Sequence, residues 1–476
     1  MKAILVPYPA QGHVTPMRHL AAALLQRGYE PVLVTPEHVH RQIAPEIEKE
    51  GGGITCVALQ DGLDHSSPRD FFAIESAMEG GSMAAQLERL VSEMDVGDCE
   101  EDGDHGVGLM VVDVLASWAM EVGHRCGIPT AGFWTGMGAT YRVVTAIPEM
   151  VRAGAISHSG LPIYEGSKLP RVLPDGQPAL TTDDLPWLIG SEASRKGRFR
   201  FWTRTVDRCR SLRWLLVNSF PEEHCTSDVE FHRFIKDNCG KKVARDYQDN
   251  NSYPMMYSVG PLSWLVPVSR NPSFWQEDRS CLDWLDGQEP GSVTYVSFGS
   301  WVGPIGEENV RSLALSLEAT GRPFIWVLKP AWRDGLPIGY TERVAGRGKV
   351  VTWAPQLEIL RSEAVGSYLT HCGWNSTMEA IQCRKKLVCY PVAGDQPVNC
   401  RYIVEVWRIG VRIGGFGQEE VEGGLRRVME DEEMGRRVRE LHERTMGEEA
   451  CLRLAGTFRG FTDDVKKMTE ECHVLS

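Results

Sequence analysis

Short unbroken apolar runs alternate along the chain with stretches whose apolar residues recur every three or four positions. The first run, Ala3–Val6, has the pattern of a strand covered on both faces of a parallel sheet. The loop PYPAQGHV follows, and Thr15-Pro16 supplies an N-cap with proline at the first helical position. Leu20, Leu24 and Leu25 carry the predicted helix to a stop near Gly28, and Pro31–Val34 gives the next strand. Leu109–Val112 repeats the strand pattern, and a helix over Trp118–Arg125 ends at Gly127. The second half follows the same rule: strand Val293–Ser297, helix Glu307–Ala319, strand Phe324–Leu328. Val350–Thr352, Ser367–Thr370 and Leu387–Tyr390 read as further short strands, each followed by polar or glycine-rich residues. Strands that alternate with helices imply parallel sheets. The expected fold class is therefore α/β, with two doubly wound, Rossmann-like parallel-sheet domains in tandem.

A length of 476 residues exceeds one ordinary core and agrees with two domains. Asn238–Asn251 is polar, contains Gly240, and reads as the linker. The predicted boundaries are 1–245 and 246–455, with 456–476 as a terminal helix. Asp95–Gly106 reads as an acidic surface loop, and beyond Glu419 the chain is charged and helical.

Composition narrows the function. Hydrophobic residues make up 42% and charged residues 24%, ordinary for a globular protein. The net charge of −13 argues against nucleic acid as a partner. It leaves a small phosphorylated ligand open, because helix N-termini bind phosphate without bulk positive charge. Thirteen cysteines without a CxxC pair fit free thiols in a reducing compartment. The apolar run Ala3–Val6 is too short for a signal peptide, and no stretch of ~20 apolar residues offers a membrane span. A cytoplasmic location is expected.

The densest chemistry lies between Trp353 and Gln396. Trp353 ends a strand, where an indole can stack on a nucleobase, and Gln356 can bond the base edge. His371 ends the next strand, just before Cys372-Gly373 opens a helix. Free N–H groups, the helix dipole and an imidazole converge there, which makes an anion site. Asn375 and Ser376 lie in the first helical turn, and Glu379 follows one turn later on the same face. Asp395-Gln396, after the turn Pro391–Gly394, pairs a carboxylate with an amide suited to vicinal sugar hydroxyls. A zinc reading of His371, Cys372, Cys383 and Cys389 fails on spacing.

Taken together, Trp353–Gln396 resembles the 44-residue secondary-product box of plant UDP-sugar-dependent glycosyltransferases. Similar segments run from PYPAQGHVTPM through FWT, VNSFPEE, CLDWLD and FGS to the box, so the resemblance covers nearly the whole chain. It implies the two-domain GT-B fold with a cleft between the domains. The acceptor would bind the N-terminal domain and the UDP-sugar the C-terminal one, with the terminal helix packing back on the N-terminal domain. It also implies that Trp353 and Gln356 hold uracil, that Ala354 belongs to the donor site with them, that His371, Asn375 and Ser376 hold the diphosphate, and that Glu379 holds the ribose. Trp374, Asp395 and Gln396 would hold the sugar, and a closing glutamine goes with glucose. Ser300, ending SFGS, matches a donor-phosphate contact, and Thr135 matches a residue touching the transferred sugar. One departure stands out. Cys383-Arg384-Lys385-Lys386 replaces the usual Ala-Gly-Val-Pro, so the local loop shape is in question.

Sugar transfer to a hydroxyl needs a base. His13 sits after the first strand and Asp113 directly after Leu109–Val112, so both should emerge at one sheet edge. A carboxylate on one imidazole nitrogen fixes the tautomer and stabilises the imidazolium. The resemblance assigns catalysis to these two residues: single in-line displacement with inversion and no cofactor or metal. The expected partners are UDP-glucose and a hydrophobic small-molecule acceptor, and a monomer is expected. A nicotinamide dehydrogenase would need a G-x-G-x-x-G that PYPAQGHV lacks. A silent UDP-sugar-binding sensor remains the alternative from another class. The acceptor pocket is expected from loops including Gly62–Met78 and Tyr141–Pro186, whose aromatic and apolar content (Phe71, Phe72, Trp187) suits a hydrophobic small molecule and equally suits ordinary packing.

Overall fold

The structure, a computed structural model, describes every residue except 50, 64–68, 97–105, 174–176, 221–253, 266–272, 301–304 and 476. The predicted linker Asn238–Asn251 and most of the acidic loop Asp95–Gly106 lie outside the described residues. The chain forms two compact units: residues 1–145, 200–274 and 451–476 in the first, and 146–199 and 275–450 in the second. This division is discontinuous, unlike the continuous segments drawn from sequence. Residues 146–199, in the first predicted domain, belong by contact to the second unit.

In the first unit the strands are β1 (Lys2–Val6), β2 (Glu30–Pro36), β3 (Thr55–Leu59), β4 (Val107–Asp113), β5 (Thr130–Trp134), β6 (Trp214–Val217) and β7 (Met255–Ser258). They pair in parallel in the order β3-β2-β1-β4-β5-β6-β7. The order reverses between β1 and β4, where Val6 registers with Val112. In a doubly wound sheet ligands bind beyond the carboxyl ends at this switch point.

The helix after β1 spans Gln11–Leu25 and starts earlier than the sequence predicts. Thr15 is not its N-cap and Pro16 lies inside it; Ala10 is the N-cap, and its carbonyl accepts the Val14 N–H at 2.9 Å. Packing decides this. Val14, Met17, Leu20, Ala21 and Leu24 are buried in the unit's core, and their burial outweighs the hydrogen bond Pro16 cannot make. As a result His13 stands in a first helical turn rather than in a loop. The terminal helix, Glu448–Leu475, sends Leu454, Phe458, Phe461 and Val465 into the same core. Arg27 donates to Asp463 at 2.7 Å, and the Trp214 indole donates to Asp464.

In the second unit the strands are β8 (Val293–Ser297), β9 (Phe324–Val327), β10 (Gly348–Val351), β11 (Val365–Thr370), β12 (Lys386–Cys389) and β13 (Gly410–Arg412). Their order is β10-β9-β8-β11-β12-β13, all parallel, with the switch between β8 and β11. Each of these strands is only three to six residues long, and most are buried along their length, which is why they read as apolar runs. Among the described residues no helix is long and apolar enough to cross a membrane.

The questioned Cys383–Lys386 loop keeps a tight turn. Arg384 takes the left-handed conformation, φ 56°, that a glycine would adopt more easily. The two lysines tie the loop down. Lys385 Nζ donates to the carbonyls of Ser362 (2.9 Å) and Val365 (2.7 Å). Lys386 Nζ donates to that of Met429 (3.0 Å), near the C-terminus of helix Gln418–Glu430, where a cation suits the dipole.

Candidate active site

Each unit places one histidine at its own switch point. In the first, His13 follows β1 and Asp113 closes β4. His13 Nδ1 lies 2.7 Å from Asp113 Oδ2. Asp113 is fully buried, and its second oxygen accepts the Leu115 N–H at 2.9 Å. A carboxylate held by backbone on one side and imidazole on the other cannot swing away. Thr135 Oγ1 lies 3.0 Å from the same Nδ1. The Tyr8 ring stands 5.2 Å from the imidazole, which remains 21% exposed. With Nδ1 committed to Asp113, Nε2 is left as the acceptor for a proton. The chemistry available is that of an oriented base.

In the second unit Ser300 follows β8 and His371 follows β11. The imidazole is packed against two glycines: a Cβ on either Gly299 or Gly373 would stand 2.5 Å from His371 Nε2. Side chains at these positions would push the ring aside, which explains FGS and HCGW in physical terms. Burial lowers the His371 pKa to about 4, opposed by the Ser297 backbone. The ring is thus neutral at pH 7, with one N–H and one lone pair rather than a cation. Gly373 caps helix Trp374–Gln382 without a side-chain bond. Trp374, Asn375 and Ser376 form its first turn, at the positive end of the helix dipole, where an anion is favoured.

Glu379 sits one turn on and receives Gln356 Nε2 at 2.6 Å. The same nitrogen lies 3.0 Å from Ser376 Oγ, while Gln356 Oε1 accepts the hydroxyls of Tyr295 (3.2 Å) and Tyr368 (3.1 Å). The Gln356 amide is therefore bonded at both ends within the protein, and its expected partner, a base edge, would have to meet the backbone or displace these bonds. Burial pushes the Glu379 carboxyl up to about 7, against the Gln356 bond and Arg361. Asp395 Oδ2 accepts Asn399 Nδ2 at 2.7 Å. Gln396 Oε1 accepts the N–H groups of Val392 and Ala393, both at 2.8 Å, so its amide N–H groups are left to donate. Ala354 is buried beside the half-buried Trp353, whose carbonyl accepts the Asp278 N–H at 2.9 Å.

Sequence reasoning missed three residues around Trp353. Trp275 stacks on it with ring centroids 4.4 Å apart. Lys329 Nζ stands 4.4 Å from the Trp275 ring, 5.0 Å from Trp332 and 6.0 Å from Trp353, and donates to the Ser300 carbonyl at 2.7 Å. Burial lowers its pKa to about 8. Lys329 directly follows the predicted strand Phe324–Leu328 and stands two residues past the end of β9, so the strand-end rule that found His371 would have found it too. Of the expected acceptor lining, Trp187 is fully buried, packs on Phe199 and donates to the Gly160 carbonyl at 2.7 Å, so it belongs to a core. Phe71 and Phe72 contact each other, and Phe71 also packs on Phe201.

Two parallel-sheet Rossmann-like units define the GT-B glycosyltransferase fold. Solved structures agree: UDP-glucose:anthocyanidin 3-O-glucosyltransferase with UDP matches at TM-score 0.76 and 20% identity, covering 98% of this chain and 99% of that one. Os79 from O. sativa with UDP matches at 0.74 and 24%, covering 95% and 98%. Residues 279–444 match the family described as UDP-glucoronosyl and UDP-glucosyl transferase. UDP-glycosyltransferase 82A1 of Arabidopsis thaliana is 52% identical over 95% of both chains. DIMBOA UDP-glucosyltransferase BX8 of Zea mays is 33% identical over 92% of both. The chain belongs to the plant UDP-glycosyltransferases and is a glycosyltransferase acting on small molecules.

Proposed function

We propose that this enzyme transfers glucose from UDP-glucose to a hydroxyl or carboxyl of a hydrophobic small molecule, with inversion at the anomeric carbon. His13 takes the acceptor proton, Asp113 stabilises the imidazolium, and the acceptor oxygen bonds to C1 as the bond to UDP breaks. The observation that carries this reading is the buried Asp113 carboxylate 2.7 Å from His13 Nδ1 at the β1/β4 switch point. UDP leaves with its diphosphate at His371 and the start of helix Trp374–Gln382. The neutral imidazole N–H and the helix N–H groups stabilise its charge, so no catalytic metal is required. Trp353 and Ala354 take the uracil, Glu379 the ribose, and Trp374, Asp395, Gln396 and Thr135 the sugar. Ser300 approaches the donor phosphate through the loop that Lys329 anchors. The glucose assignment is supported by Gln396 and by the glucosyltransferase name of the maize relative. On this reading the enzyme is monomeric and cytoplasmic, a compartment that suits its thirteen cysteines.

The test is incubation with UDP-glucose and a panel of phenolic, terpenoid and carboxylic acceptors, reading UDP release and hexose mass gain. A hexose adduct is expected, with a rate roughly 10²- to 10⁴-fold lower in His13→Ala and UDP-glucose affinity unchanged. UDP-glucose binding without turnover across the panel would favour a silent sensor. Loss of UDP-glucose binding in His13→Ala would sink the assignment of the base.

A further inference from the structure

Three cysteines far apart in sequence meet in the second unit. Cys372 follows β11, Cys389 is the last residue of β12, and Cys400 lies in helix Gln396–Arg401. Their sulfurs all lie within 4.8 Å of one another, and the three residues are 0–1% exposed. None of the three is in a disulfide, and the Cys372 thiol donates to the Thr370 carbonyl at 3.9 Å. We propose that Cys372, Cys389 and Cys400 form a binding site for one thiophilic d¹⁰ cation of the Zn²⁺ or Cd²⁺ class, held by three thiolates.

The geometry supports this over simple packing. Metal–sulfur bonds of about 2.3 Å place the three sulfurs of one site about 4 Å apart, so the observed cluster needs little movement to close on an ion. Soft thiolate donors in a dry site select such ions over Mg²⁺ or Ca²⁺. The ligands come from three separate elements, and the β11/β12 pairing, in which Thr370 registers with Cys389, fixes two of them relative to each other. Cys372 also holds a left-handed backbone, φ 66°, unusual for a residue with a side chain and characteristic of functional sites. Asn399, next to Cys400, donates to the Cys372 carbonyl at 2.9 Å. Its own amide oxygen is buried without a hydrogen-bond partner among the described residues.

Binding balances as three thiols plus M²⁺ giving one M(SR)₃⁻ centre and three protons released to solvent. The site is independent of the sugar chemistry, but it shares the Cys372 backbone with His371 and Gly373. An ion there would pin the segment beside the anion site.

The experiment titrates the reduced full-length protein with Cd²⁺, reading the thiolate-to-metal charge-transfer absorbance and the thermal midpoint. The wild type should bind one tight equivalent and melt higher. Cys400→Ala and Cys389→Ala should each lose that equivalent and the rise in midpoint, while Cys383→Ala, outside the cluster, should keep both. Two cluster variants guard against one failing to fold. No saturating equivalent in the wild type, or the same equivalent in both cluster variants, would overturn the proposal and leave the cluster as apolar packing.

Discussion

Glu379 should make donor binding depend on pH near neutrality. Ribose hydroxyls donate to a carboxylate and gain nothing comparable from a carboxylic acid already bonded to Gln356. Burial holds this carboxyl at about 7 instead of its ordinary 4.5. If only the ionised form binds, apparent affinity for UDP-glucose should be about tenfold weaker at pH 6 than at pH 8. UDP-glucose without acceptor is the right ligand, since its diphosphate lacks the terminal phosphate ionisation of UDP. The same shift acts on stability in the opposite direction. A raised carboxyl pKa favours the folded state in full below about 4.5, and that contribution is lost as pH rises through about 7. The difference amounts to about 3 kcal/mol. Glu379→Gln should therefore bind UDP-glucose weakly at every pH, lose the slope between pH 6 and 8, and be up to about 3 kcal/mol more stable than wild type at pH 8. Calorimetric titration and denaturant unfolding at the two pH values measure both effects. A flat wild-type profile, or an equal slope in Glu379→Gln, would refute the reasoning.

Two further expectations follow from single contacts. Asp113→Asn keeps the packing but removes the charge facing His13; kcat should fall about 10²- to 10⁴-fold while calorimetric UDP-glucose affinity stays constant, and an undiminished kcat would contradict the oriented-base reading. Arg384→Gly relieves a left-handed arginine at some cost in chain entropy, so denaturant unfolding should show a net gain of about 0.5–1 kcal/mol, and a loss would mean that the arginine side chain contributes more than its backbone costs.

Eight of the thirteen described strands were legible in the sequence, because strands buried in a parallel sheet leave continuous apolar runs; β3, β5, β6, β7 and β13 were not marked. Val293–Ser297 and the helices Trp118–Arg125 and Glu307–Ala319 have the bounds the pattern predicts. The sequence also marked Asp113 and His371, which stand at strand ends where a doubly wound sheet opens, and His13 and Glu379 in the helices that follow β1 and β11. The start of the first helix was hidden, because Thr15-Pro16 is a valid local cap and only the burial of Val14 and Met17 overrides it. The grouping of 146–199 with the second unit rests on contacts between distant segments, such as Asp184 with Arg401 at 3.3 Å. The inward turn of Gln356, the neutral His371 and the meeting of Cys372, Cys389 and Cys400 are likewise set by tertiary packing. Each depends on which groups exclude water from a side chain, and local residue order carries no record of that.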